Sequence, residues 1–100
     1  MFVRYMGDSP FIRVLDFLIE NEIWDYSLQD ISDNTDLARN TVSKVLDKML
    51  GLGMVVNTRT VGRSKMFQIN RQEPVVKKLI KFDRELSLES IPKKIKEVAR

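Results

Sequence analysis

Residues 27–56, SLQDISDNTDLARNTVSKVLDKMLGLGMVV, constrain this chain more than any other stretch. They read as two short helices joined by a tight turn and followed by a strand. The second helix is expected from near Ala38 to about Leu52. Along it Val42, Val45, Leu46, Met49 and Leu50 recur at three- and four-residue steps, which gathers them on one face of a 3.6-residue helix. Asn40, Ser43, Lys44, Asp47 and Lys48 fall opposite, with Arg39 and Thr41 flanking the first turn. A helix patterned this way is held from behind by a core and turns short polar and basic side chains outward.

The helix before it supplies the support. Ser27 with Asp30 three residues on is close to a capping box, and Leu28 and Ile31 face inward. Ser32 is small where two helices cross closely, and Leu37 closes the turn as an inward plug. The run Ile31, Ser32, Leu37, Thr41-Val42-Ser43, Leu46 and Leu52-Gly53-Met54-Val55 resembles the helix-turn-helix of winged-helix transcription regulators, the broad group of MarR-like, ArsR-like and small archaeal proteins. Two positions depart from that pattern. Asp36 stands where glycine is usual, and Ala38 where a serine or threonine N-cap is usual. Aspartate tolerates a left-handed backbone better than most residues, so the turn is expected to survive.

Composition narrows the function classes. One hundred residues make one domain with a modest core. No apolar run is long enough to span a membrane, and the first residues, MFVRYMGDS, lack the apolar block of a signal peptide, so a cytoplasmic protein is expected. Without cysteine there is no disulfide framework or thiolate site, and without histidine the commonest metal ligand and general base is missing. No glycine loop suits a phosphate and no carboxylates show metal-loop spacing, so neither enzyme nor cofactor is expected.

The net charge of +3 is unevenly placed: residues 1–50 sum to −4 and residues 51–100 to +7. Between Glu22 and Asp36 there are five acids and no base, whereas Arg39 to Lys65 holds six bases and one acid, Asp47. The switch falls at the turn before the exposed helix. A basic stripe that begins there is the footprint of a polyanion-binding face, although charged runs also simply solubilise surfaces.

Residues 1–6 alternate weakly and read as a short strand or a frayed tail. Ser9 caps a first helix with Pro10 at its first position, running to about Asn21. Phe11, Ile12, Val14, Leu15, Leu18 and Ile19 cover half its circumference and Phe17 lies outside even that arc. Val14 and Phe17 therefore either pack beneath the C-terminal helices or belong to a subunit interface. Trp24 and Tyr26, in a loop rich in acids, read as core or loop anchors rather than base-stacking groups, and Tyr26-Ser27 as a single bridge to the later hairpin.

Gly53 is expected to end the exposed helix. MVVNTRT-VGRS-KMFQIN then reads as a β-hairpin with Gly62 at its tip, the wing of the resembled families. Arg63 sits at that tip, with Arg59 and Lys65 beside it. Beyond Glu73-Pro74 a further helix is expected to about Leu86, its Val75, Leu79, Phe82 and Leu86 spaced four, three and four apart and widened by Val76 and Ile80. Such a stripe is usually core, packing on the first helix, but it also suits a short coiled-coil seam. After Ser87 the signal fades; Ser90 and Pro92 either open a last basic helix or lead into a disordered tail.

The expected architecture is mainly α with a small β-hairpin: a three-helix core and wing over 1–70, then one or two C-terminal helices over 71–100 that pack on it or dimerise it. The expected function is sequence-specific binding of double-stranded DNA by a homodimeric regulator on a palindromic promoter site. Arg39, Asn40 and Thr41 are the expected base readers, since arginine pairs with guanine, asparagine with adenine and a threonine methyl meets thymine. Ser43, Lys44 and Lys48 reach phosphates or bases according to docking depth, with Asp47 orienting Lys44, and Arg59, Arg63 and Lys65 supply the wing contacts. Val14, Phe17, Leu79, Phe82 and Leu86 are the candidates for the dimer interface. The alternative is a winged-helix protein-interaction module in a transcription or replication assembly. RNA lacks an aromatic platform here, and no residue identifies an effector.

Overall fold

The computed structural model describes residues 2–90. In chain order these form α1 (Phe2–Met6), α2 (Pro10–Glu20), β1 (Tyr26–Ser27), α3 (Leu28–Thr35), α4 (Arg39–Gly51), β2 (Val55–Val61), β3 (Ser64–Ile69) and α5 (Pro74–Ser90). The three strands make one antiparallel sheet in the order β1-β3-β2. Tyr26 pairs with Phe67 and Ser27 with Met66, the expected bridge from loop to hairpin.

Local chemistry sets the helix limits. Ser9 Oγ accepts from the Ile12 N–H, and Pro10 opens α2 where its missing N–H costs nothing. At α3 the capping box is complete: Ser27 Oγ accepts from Asp30 N–H, and Ser27 N–H donates to Asp30 Oδ2, both at 3.1 Å. Asp36 takes up the left-handed conformation (φ 56°, ψ 40°) that the turn to α4 requires. Ala38 holds the N-cap position of α4 without a side-chain bond. At the far end Gly53, with φ 74°, donates to Leu50 O while Met54 N–H reaches Met49 O, a Schellman closure.

One core binds these elements. Val14, Leu15, Leu18 and Ile19 of α2, Ile31 of α3, and Val42, Val45, Leu46 and Met49 of α4 meet Val55, Phe67 and Ile69 of the sheet and Val76 and Ile80 of α5. The α3–α4 turn is tied to it from within, because Ser32 Oγ donates to Leu37 O and Arg13 donates to Thr35 O.

Four expectations need correction. Residues 2–6 are helical rather than a strand or tail, and Phe2 is fully buried with its ring 5.9 Å from that of Phe82. Val14 is fully buried within its own chain and so leaves no surface for a partner; Phe17, half-buried, packs its ring 4.8 Å from that of Tyr26. Trp24 is no anchor, being 61% exposed. On α5 the most deeply buried stripe is Val76, Ile80, Asp83 and Ser87 rather than Val75, Leu79, Phe82 and Leu86, of which Leu79 and Leu86 are half-buried against the core. The two stripes share one spacing and are offset by a single residue, about 100° around the helix. The outer one is divided: Leu79 and Leu86 pack against the core, while Val75 is 54% and Phe82 38% exposed. The inner one ends in polar groups, and burial together with the carboxylates of Asp16, Glu20 and Glu22 pushes Asp83 above the usual carboxylate range. The expected last basic helix or tail lies outside the described residues.

Candidate nucleic-acid interface

The outward side of α4 is a continuous polar strip. Val42, Val45, Leu46 and Met49 are buried behind it, while Asn40, Lys44 and Asp47 are exposed on the far side. Arg39 and Lys48 leave the helix on opposite flanks, nine residues and therefore about 180° apart. Lys48 lies against α2, its Nζ 5.3 Å from the centre of the Phe11 ring. Thr41 and Ser43 are half-buried at the strip's edges. Among the described residues Asp47 and Lys44 form no ion pair, so the expected orienting contact is not made.

The opposite flank faces the hairpin. Arg39 borders a cleft of about 230 Å³ whose other walls include Ser27 and Gln29 at the start of α3 and Arg63, Ser64 and Lys65 of the hairpin. Three cationic side chains from two elements 24 residues apart in sequence thus converge on one concavity. The tip turns through Gly62, which has φ 61°, a conformation glycine adopts without a Cβ penalty.

Arg59 is placed differently. Its guanidinium makes a two-pronged ion pair with Asp25, Nε–Oδ2 at 3.0 Å and Nη2–Oδ1 at 3.1 Å, and Thr58 Oγ1 donates to the same carboxylate at 2.5 Å. The hydrogen bonds from Arg59 and then Thr58 hold Asp25 below the usual carboxylate range, and the same pairing raises Arg59. Gln68 Nε2 donates to Glu22 O at 2.9 Å, so the loop before β1 grips both hairpin strands. Sequence reasoning missed Asp25 as a wing residue because its partners lie 33 and 34 positions away.

The exposed strip, the cleft and the ribbon are arranged as a surface that can meet a polyanion: a helix to enter a groove, cations to either side of it, and an arm that carries charge beyond the core. No helix among the described residues is long and apolar enough to cross a membrane.

The sequence matches no family model and no curated protein. Solved structures do match. The MarR family regulator NMB1585 from Neisseria meningitidis superposes with a TM-score of 0.68 at 17% identity, over 92% of this chain and 68% of that one. The homodimeric winged helix-turn-helix DNA-binding domain Mb0332 from Mycobacterium bovis gives 0.60 at 19% identity, over 89% and 75%. The ferric uptake regulator from Francisella tularensis, of which this chain spans 53%, gives 0.59 at 18% identity over 65% of this chain. At these identities the likeness speaks of architecture, and it agrees with the helix order, bridge and hairpin described above: the chain has the winged helix-turn-helix fold.

Proposed function

We propose that this protein binds double-stranded DNA with sequence preference, as a transcription regulator, and does so as a homodimer on a palindromic site. The observation that carries the reading is the convergence of Arg39 from α4 with Arg63 and Lys65 from the wing on one cleft, beside the exposed strip of the same helix. In this arrangement α4 enters the major groove by its N-terminal end. Asn40 and Thr41 meet base edges, Lys44 reaches bases or phosphates, and Lys48 takes a phosphate on the α2 side. Arg63 and Lys65 take phosphates on the wing side, while Arg59 serves first to root the wing. The dimer is supported by the outer side of α5, where Val75 and Phe82 are exposed beside the half-buried Leu79 and Leu86.

The test is a binding series on duplexes selected from random sequence, run at several salt concentrations. Arg63→Ala is expected to weaken binding to every duplex and lower the magnitude of the salt slope by about one. Asn40→Ala is expected to cost about 1–3 kcal/mol on the selected site and little on others. If Asn40→Ala lowers every affinity equally, the base readers are misassigned. If the parent protein holds no duplex at modest salt, the regulator reading falls. The second reading, a protein-interaction module, draws support from Ile23 and Trp24, which are 59% and 61% exposed.

A further inference from the structure

The open cleft between the wing and the start of α4 gathers cations from separate parts of the chain. Arg39 is the first residue of α4, Arg63 lies in the turn between β2 and β3, and Lys65 is the second residue of β3. Ser27, Gln29 and Ser64 add hydroxyl and amide groups to the same lining, and Phe67 contributes a nearly buried ring. Among the described residues none of the three cations enters an ion pair, in contrast to Arg13, Arg59 and Arg84. No carboxylate of the described residues lines the cleft. The acids bonded to its lining, Asp30 to the Ser27 N–H and Asp33 to the Gln29 amide, are both exposed, so solvent screens them.

We propose that this cleft is also the seat of a free oligophosphate, an inorganic anion of two or more joined phosphoryl groups, and that such an anion displaces DNA from it. Two guanidinium forks and one ammonium offer phosphate oxygens hydrogen bonds strengthened by charge on both partners. A single phosphoryl group carries about 1.5–2 negative charges near neutrality, so two joined groups come closer to balancing three cations. The volume of about 230 Å³ suits a compact anion; it falls below the roughly 300–1,000 Å³ of sites for larger organic ligands. A nucleoside gains little from these walls, because the one ring among them, that of Phe67, is only 8% exposed and leaves no face for stacking.

The displacement rests on the DNA-binding reading, whereas the seat itself can be tested without DNA. In that reading Arg63 and Lys65 hold backbone phosphates. An occupant that satisfies them together with Arg39 removes the wing's grip and sets negative charge beside the exposed strip of α4. This is competition for particular side chains, distinct from the general loss of affinity that any added salt causes. Ionic strength is therefore held constant in the test.

Pyrophosphate titrated by calorimetry into the full, DNA-free chain is expected to bind at one site per chain, and about tenfold more tightly than sulfate. The amide resonances of residues 27–29, 39 and 63–65 are expected to move with the same saturation. Arg39→Ala, Arg63→Ala and Lys65→Ala are each expected to weaken binding by about tenfold. Lys77→Ala, which removes an exposed cation of α5, is expected to leave it unchanged. All four side chains are exposed, so an unaltered circular dichroism spectrum is expected and checks the fold of each variant. Binding no tighter than that of sulfate, equal weakening by Lys77→Ala, or unchanged affinity in all three cleft variants overturns the proposal. In a second arm, pyrophosphate is expected to release the selected duplex with a midpoint that follows its calorimetric affinity. A duplex retained at saturating pyrophosphate overturns the displacement and leaves the seat standing. A chain that binds duplex but not pyrophosphate overturns the seat alone, and one that binds pyrophosphate but no duplex overturns the DNA-binding reading and the displacement with it.

Discussion

Asp25 decides how many charges the wing offers. Held by Arg59 and Thr58, it neutralises one of the three wing cations and fixes the ribbon's base to the loop. Asp25→Asn is expected to free Arg59 for phosphate, so that binding to non-cognate duplexes tightens and the salt slope steepens by about one. A slope equal to that of the parent would show Arg59 already on DNA, its pairing with Asp25 given up on binding. The pair also has a pH signature. Because Asp25 titrates below its unfolded value in the native protein, its contribution is fully present above the ordinary carboxylate range and is lost as pH falls through the depressed value. The melting temperatures of parent and Asp25→Asn should differ at neutral pH and converge in strong acid.

Among the elements, α4 is the one whose ends are least alike. Its C-terminus has a full Schellman closure, while Ala38 at its N-cap makes no side-chain bond despite the extended backbone (φ −63°, ψ 146°) a cap requires. Ala38→Ser is expected to add about 0.5–1 kcal/mol, read from the urea midpoint at constant m-value. An unchanged midpoint would mean that water already serves the first N–H groups equally well. Elements with local signatures were legible before any coordinates: the Ser27/Asp30 box, the buried face of α4, the left-handed Asp36 and the Gly62 tip all lie within a few residues of what they determine. The rest was set by contacts that no local window contains. Helix α1 has five residues, too few to show a period, and is secured by Phe2 burying itself near Phe82. Trp24 resembled an anchor until the pairing of Tyr26 with Phe67 fixed which loop ring turned inward. On α5 two stripes of equal spacing compete, and the outer is the more apolar, so pattern alone favours it although only its Leu79 and Leu86 reach the core. The cleft was half legible: its cations stood out, but the grouping of Arg39 with the wing rather than with Asn40 depends on how α4 is turned.

At the scale of the whole molecule, charge and apolar surface are separated: the basic face lies along α4 and the wing, the carboxylates of Asp16, Glu20 and Asp83 gather between α2 and α5, and the partly exposed outer stripe runs down α5. That stripe makes oligomeric state the global property easiest to test. Sedimentation of the parent over a wide concentration range is expected to show a monomer–dimer equilibrium, and Phe82→Glu is expected to hold the monomer while leaving α4 folded. A parent that remains monomeric throughout removes the palindromic site with it. Helix α5 also has a geometric consequence. Since its inner and outer stripes differ by one residue step, the angle between a subunit's body and its twin in the proposed dimer would be written into helical phase. Inserting a single alanine between Leu79 and Phe82 should swing the twin by about 100°. A pair of reading heads set for adjacent turns of duplex would then lose their common spacing, even with every contact to the bases intact.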